Sequence, residues 1–126
     1  MVTNKQSKYI DNPFNCPVTR AMSIIGGKWK PIILFVIGEQ SIRFGKIRQY
    51  IPAISNKMLT QELKELESFN LIERQEFKEA PPRVEYTLSQ FGQTVLPLLN
   101  EIAIWGSSKP VVAVLHQIKK GHTIKV

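Results

Sequence analysis

The sequence predicts a mainly helical α+β fold in which several short helices accompany one small β-ribbon. Three observations predict it. Apolar residues recur at helical spacing through much of the chain, apolar and polar residues alternate cleanly over residues 83–88, and 43% of the 126 residues are hydrophobic. Because this apolar content suffices for a packed core, we expect one domain over residues 1–126, with a flexible arm at 1–12 and a C-terminal extension at 107–126.

The first half of the chain predicts short helices separated by glycine and proline. We expect helices over Val18–Ile25 and Lys28–Ile37, a small strand within Ser41–Phe44, and a helix over Gly45–Ile51 that ends at Pro52. Residues 32–37 are apolar without interruption, so the second of these helices has no polar face. We therefore expect it to be buried on nearly all sides.

The segment Ser55–Phe69 predicts a longer amphipathic helix. Ser55 is a natural N-cap, and the later part of the helix is acidic. The apolar positions form one stripe: Met58, Leu59, Leu63, Leu66 and Phe69. The opposite face is polar and includes two cations: Lys57, Thr60, Gln61, Lys64 and Ser68, with Asn56 beside them.

A β-ribbon and further helices follow. Asn70 suits a helix C-cap, and strands are predicted over Ile72–Phe77 and Arg83–Leu88. A helix over Gln90–Gly106 should be kinked at Pro97. Its apolar stripe exceeds what an intrachain core needs, which predicts a dimer through Phe91, Val95, Leu98, Ile102 and Trp105. Val111–Val126 predicts a final helix.

This order of elements, a short helix, a tight turn, a longer helix with a polar face and a two-stranded ribbon, is typical of a winged helix-turn-helix. The alternative interpretation of Ser55–Phe69 is an ordinary amphipathic surface helix.

Charge is distributed unevenly along the sequence. The net charge is +7, with 17 Lys and Arg against 10 Asp and Glu. The basic excess lies in residues 1–60 and 109–126, whereas residues 61–108 are acidic. This separation indicates a surface that faces a polyanion. With no long apolar run and no signal peptide, we expect a cytoplasmic protein without a membrane partner.

Several motifs follow one another at fixed places: Cys16-Pro17-Val18, Ile25-Gly26-Gly27-Lys28-Trp29, Arg43-Phe44, Ile54-Ser55-Asn56-Lys57-Met58-Leu59-Thr60, Leu63-Lys64-Glu65-Leu66, Pro81-Pro82-Arg83-Val84-Glu85-Tyr86 and Trp105-Gly106. Together they resemble the HxlR-type family of bacterial winged-helix (MarR-like) transcription regulators over about residues 14–106. One departure is Asn70, where the family usually has glycine, and asparagine also tolerates a left-handed turn.

The resemblance implies a cytoplasmic homodimer that binds pseudo-palindromic operator DNA. It makes Ser55–Phe69 the recognition helix, Lys78–Arg83 the wing tip and the terminal helices the dimer interface. Some members of the family sense oxidants or electrophiles through a cysteine at the position that matches Cys16.

The candidate DNA-binding residues are polar or basic. Amide side chains can pair with adenine, and lysines can contact guanine or phosphate. On this basis we select Lys28, Arg43, Lys46, Ser55, Asn56, Lys57, Thr60, Gln61, Lys64, Lys78 and Arg83. Lysines that touch only phosphates, or that are simply solvated, are the alternative interpretation.

Cys16 is the single cysteine, so an intrachain disulfide is excluded. It precedes Pro17 at a helix start, where the helix dipole and Arg20 favour the thiolate. The resemblance implies redox sensing at this residue; the alternative is a small buried hydrophobe.

Neither catalysis nor a cofactor is indicated. His116 and His122 have no nearby acid or nucleophile, and their spacing does not suit a metal on one helix face. Two other functions stay open: a protein-interaction adaptor, and a regulator that responds to a small ligand without thiol chemistry.

Overall fold

A computed structural model describes residues 12–120 of the chain. The chain divides into two compact units, with the boundary between Gln93 and Thr94. A single 3₁₀ turn at Pro13–Asn15 precedes the regular elements of the described part. These are α1 (Pro17–Ile25), α2 (Lys30–Ile37), β1 (Ile42–Arg43), α3 (Phe44–Tyr50), α4 (Asn56–Ser68), β2 (Ile72–Phe77), β3 (Arg83–Leu88), α5 (Gln90–Gln93), α6 (Leu96–Gly106) and α7 (Lys109–Lys119).

The sheet of the first unit is antiparallel, with the strand order β1-β3-β2. Ile42 pairs with Tyr86 across β1 and β3, and Ile72 pairs with Leu88 across β2 and β3. Strands β2 and β3 continue beyond β1 as a two-stranded wing. The mainly helical winged helix-turn-helix predicted from the sequence is thus confirmed, with both wing strands at their predicted bounds.

The core of the first unit is aliphatic. The helix α4 is anchored by three leucines of its predicted stripe, whereas Met58 of the same stripe is exposed. The fully buried side chains are Ile33, Leu34, Ile37, Ile47, Ile54, Leu59, Leu63, Leu66, Leu71 and Ile72.

Both ends of α4 are fixed by local chemistry. At its start, the Ser55 hydroxyl accepts a hydrogen bond of 3.0 Å from the Met58 amide, as the predicted N-cap should. At its end, Asn70 adopts a left-handed conformation with φ 61°. The amides of Asn70 and Leu71 then bond to the carbonyls of Glu67 and Leu66. This is a Schellman motif, which confirms Asn70 in the helix-ending role expected of it.

The predicted burial of α2 on nearly all sides is wrong. Ile33, Leu34 and Ile37 are buried, but Ile32 is 39% exposed and Phe35 is 47% exposed. The reason is that α2 packs against α3 and β3, which cover one side of the helix. Because α2 is apolar on every side, its other side is an uncovered apolar face within the first unit.

The predicted single helix over 90–106 is also wrong, because a turn at Thr94 and Val95 divides it into two helices. Pro97 does not kink a continuous helix; it occupies the first turn of α6, where its missing N–H costs nothing. The first piece, α5, begins with the Ser89 hydroxyl accepting a bond from the Gly92 amide.

The second unit contains α6 and α7, joined by Ser107 and Ser108. The final helix predicted within Val111–Val126 is confirmed as α7, although it starts earlier, at Lys109. The predicted arm, residues 1–12, lies almost entirely outside the described residues. His122 also lies outside them. Within residues 12–120, no helix is long and apolar enough to cross a membrane.

Candidate nucleic-acid interface

The helices α3 and α4 form a helix-turn-helix whose turn is held from inside. Ile51 and Ile54 of the connecting turn are buried. The Arg48 guanidinium donates two hydrogen bonds, of 2.9 and 3.2 Å, to the Ile54 carbonyl. A charged group that satisfies a turn carbonyl in this way restricts the angle between the helices, so α4 projects from a defined support.

The polar face of α4 is fully presented to solvent. The exposed side chains are Asn56, Lys57, Thr60, Gln61, Lys64 and Ser68. Ser55 is exposed as well, but its hydroxyl already caps the helix. The remaining face therefore offers two amides, two hydroxyls and two cations, which is the chemistry that a major groove can pair with.

The acidic side of α4 is held by Lys30, a residue that the sequence analysis missed. Its ammonium lies 3.3 Å from a Glu62 carboxylate oxygen and 2.8 Å from one of Glu65. Burial lowers the pKa of Lys30, but hydrogen bonds to Glu65 and Glu62 outweigh this effect, so the pKa is raised overall. The available signal was a lone lysine in the apolar helix α2, together with two glutamates spaced i, i+3.

Three of the candidate DNA-binding residues lie outside α4 and the wing, and all three are exposed cations. Lys28 lies with its ammonium 4.8 Å from the centroid of the Trp29 ring. Lys46 on α3 is 5.7 Å from the ring of Tyr50, and Arg43 lies on β1. All three belong to the first unit, as α4 does.

At the wing tip, Lys78 is exposed, whereas Arg83 is surrounded by acids. Its guanidinium bonds to Glu79 and Glu85 and stacks 3.9 Å from the centroid of the Phe77 ring. A hydrogen bond from Ser41, followed by the bond from Arg83, lowers the pKa of Glu85. To reach DNA, the Arg83 side chain would have to leave these partners, while Lys78 has no such ion pair among the described residues.

A cleft of about 320 Å³ separates α4 from the wing, and we name it the helix–wing cleft. Two cations line it, Lys64 from the helix and Arg74 from β2. The other lining residues are Thr60, Leu63, Glu67 and Tyr86. No sequence pattern points to Arg74, because its position toward α4 depends on strand pairing: it lies opposite the buried Tyr86.

Cys16 lies immediately before α1 and is partly exposed. The pKa of its thiol is lowered, chiefly because the Thr19 backbone N–H favours the thiolate. Burial acts in the opposite direction, and the Val18 N–H and Arg20 add smaller stabilising effects. The Arg20 guanidinium is also held 3.2 Å from the Phe14 carbonyl. The thiolate is therefore favoured as the sequence predicts, although the amide N–H contributes more than Arg20.

The five residues predicted at a dimer interface are divided between the two units. Phe91 lies on α5, Val95 lies in the break, and Leu98, Ile102 and Trp105 lie on α6. Val95 is half-buried and the other four are exposed, with Trp105 reaching 69%. Exposed apolar side chains also occur on α1, at Val18 and Met22.

Residues 24–114 match the family model described as HxlR-like helix-turn-helix. The chain belongs to this family. An HTH-type transcriptional regulator of Methanothermobacter thermautotrophicus is 44% identical to this HxlR-like chain over 96 residues, which cover 76% of it and 73% of the relative.

Two solved structures resemble this HxlR-like protein. The reduced form of the redox regulator HypR has a TM-score of 0.73 and 37% identity, and the alignment covers 78% of this chain and 97% of that one. The diamide-treated form of YodB from Bacillus subtilis has a TM-score of 0.62 and 38% identity, covering 72% of this chain and 91% of that one.

Proposed function

We propose that this protein is a cytoplasmic, homodimeric transcription regulator that binds a pseudo-palindromic DNA operator. One observation carries the proposal: a capped helix, α4, presents a continuous polar face from a rigid helix-turn-helix. Each subunit would place α4 in a major groove, with the two half-sites about one helical turn apart.

Roles within the interface follow from the donors and acceptors of each side chain. Gln61 and Asn56 can pair with adenine, while Lys57 and Lys64 can contact guanine or phosphate. Thr60 and Ser55 lie beside them on α4 or at its cap. We assign phosphate contacts to Lys28, Arg43 and Lys46, and minor-groove contacts to Lys78 and Arg83.

The dimer is supported by apolar surface that a single chain leaves uncovered. On α6, Leu98, Ile102 and Trp105 are exposed, and on α2, Ile32 and Phe35 are exposed. Such surface is unusual on a monomeric protein and is typical of an interface between subunits.

Cys16 is our candidate for the entry of a signal. Its lowered thiol pKa favours the reactive thiolate, and structures of the similar proteins HypR and YodB are known in an oxidised and a diamide-treated form, respectively. With a single cysteine in the chain, oxidation by diamide would couple the Cys16 thiols of two subunits, or Cys16 and a small thiol, into a disulfide while diamide is reduced. Such a modification would change the spacing of the two recognition helices.

The test of DNA recognition compares variants on a duplex that the wild-type protein selects from genomic fragments. Lys57→Ala and Gln61→Ala should each weaken binding about 10-fold, because each removes a groove contact. Gln75→Ala is the matched control, since Gln75 is exposed on β2. Unchanged affinity in both α4 variants would exclude α4 as the recognition helix.

The test of thiol sensing uses Cys16→Ser. Diamide or a quinone should release wild-type protein from the operator and leave the variant bound, with unmodified affinity equal in both. If the variant responds to the reagent as the wild-type protein does, Cys16 is not the sensor.

A further inference from the structure

We propose that the helix–wing cleft binds a phosphodiester group of DNA, with Arg74 as its principal cation and Lys64 facing it from the recognition helix. Nothing in the sequence pattern assigned Arg74 to DNA. The inference rests on the proposed function, because it places a particular part of the duplex in a particular cleft of the protein.

Strand register places Arg74 on the correct face of the wing. Ile72 pairs with Leu88, and Arg74 pairs with Tyr86. Ile72, Leu88 and Tyr86 are all buried, so this face of the ribbon is the one that packs toward the domain. Arg74 is therefore the first position on that face at which the side chain emerges beyond the core, and there it lines the cleft with Lys64.

The topology of a duplex determines what must pass through the cleft. If α4 occupies a major groove and the wing reaches the adjacent minor groove, the sugar-phosphate strand that separates the two grooves must run between them. The helix–wing cleft is the space between these elements in the structure. A phosphodiester is thus the chemical group that the docked geometry brings to Arg74 and Lys64.

The side chains in the cleft suit that group. The guanidinium offers a planar fork for phosphate oxygens, Lys64 adds a second positive charge, and the Thr60 hydroxyl is a neutral donor. Arg74 donates a hydrogen bond to Glu76 and lies opposite Tyr86 across the strand pair. The bond to Glu76 is an exposed ion pair, which contributes little to stability and leaves the remaining N–H groups for a phosphate.

One residue in the cleft has a charge of the same sign as phosphate, so its replacement is a control with the opposite expected effect. Glu67 lines the same space and carries a negative charge toward it. Removal of this charge should strengthen phosphate binding, whereas removal of the Arg74 charge should weaken it. A change of fold caused by mutation would not produce opposite signs at these two positions.

The experiment measures the affinity and salt dependence of full-length protein on the duplex selected by the wild type and on a random duplex of equal length. Arg74→Gln should weaken binding about 10-fold on both, and should reduce the slope of log affinity against log salt by about one. Glu67→Gln should strengthen binding several-fold. Lys119→Gln, an exposed lysine near the end of α7, is the charge-matched control.

A second measurement locates the contact on the DNA. Replacing single phosphates of the selected duplex by neutral methylphosphonates should reveal one position per half-site that weakens wild-type binding but does not further weaken Arg74→Gln. Circular dichroism of each variant checks that the fold is retained.

The outcomes separate the two claims. If the wild-type protein selects a duplex but Arg74→Gln matches it in affinity and salt slope, the cleft assignment is wrong and the proposed function stands. If every phosphate substitution affects Arg74→Gln as it affects the wild type, the cleft assignment is again wrong. If the wild-type protein prefers no duplex at all, the proposed function fails.

Discussion

Replacement of Lys30 by methionine should destabilise the protein by about 2 kcal/mol, because it leaves the carboxylate of Glu62 without its cation. Methionine matches the four-atom apolar stem of lysine and lacks only the terminal ammonium, so the change removes charge with little change of packing. The bond partner lies 32 residues away in sequence, on α4, so the perturbation acts on the attachment of the recognition helix.

The magnitude follows from the burial of the three side chains. Those of Lys30 and Glu62 are 11% and 13% exposed, while that of Glu65 is 43% exposed. Exposed ion pairs contribute about 0–1 kcal/mol, and breaking a fully buried pair costs about 3–5 kcal/mol. This site lies between those limits. A loss of about 2 kcal/mol corresponds to a fall of about 8 °C in Tm for a domain of this size.

Urea unfolding followed by circular dichroism measures the effect, with an unchanged m-value and a lower midpoint. Adding Glu62→Gln to the Lys30→Met protein should restore part of the stability at pH 7. If Lys30→Met is within about 0.5 kcal/mol of the wild type at pH 7, the reasoning is refuted.

Three further predictions concern single positions of the first unit. Asn70→Gly should stabilise the protein by about 0.5–1 kcal/mol, because glycine adopts the left-handed φ of 61° without strain; a destabilised variant in thermal unfolding would contradict this. Gly92→Ala should destabilise it by more than about 2 kcal/mol, since a Cβ there would lie 2.0 Å from the Leu71 carbonyl oxygen; a wild-type Tm would contradict this. Ser41→Ala should raise the pKa of Glu85, which NMR titration of that carboxyl measures; an unchanged pKa would show that Ser41 does not set it.

Local chemistry made α4 and the wing predictable. The Ser55 cap, the leucine stripe and the left-handed Asn70 act within a few residues of chain, and each is visible in the sequence. The wing strands were predictable for the same reason, since apolar and polar residues alternate along β3. The polar face of α4 followed directly once the helix was placed.

Features that depend on distant parts of the chain were not predictable. Periodicity does not tell whether Phe35 meets a neighbour, and the fold leaves it exposed. The apolar pattern of a helix continues through Thr94, so the pattern does not reveal the turn at this residue. Lys30 and Arg74 acquire their roles only when the topology brings them to Glu62 and to the helix–wing cleft, respectively. Pairwise contacts of this kind require the register and packing of several elements at once.

The central claim is that α4 reads DNA sequence, and the ratio of specific to non-specific affinity tests it most directly. The wild-type protein should bind its selected duplex at least about 1,000-fold more tightly than a random duplex at the same salt concentration. Gln61→Ala should reduce that ratio about 10-fold, because it removes a base contact and leaves the phosphate contacts. Equal affinity of the wild-type protein for both duplexes would contradict the claim.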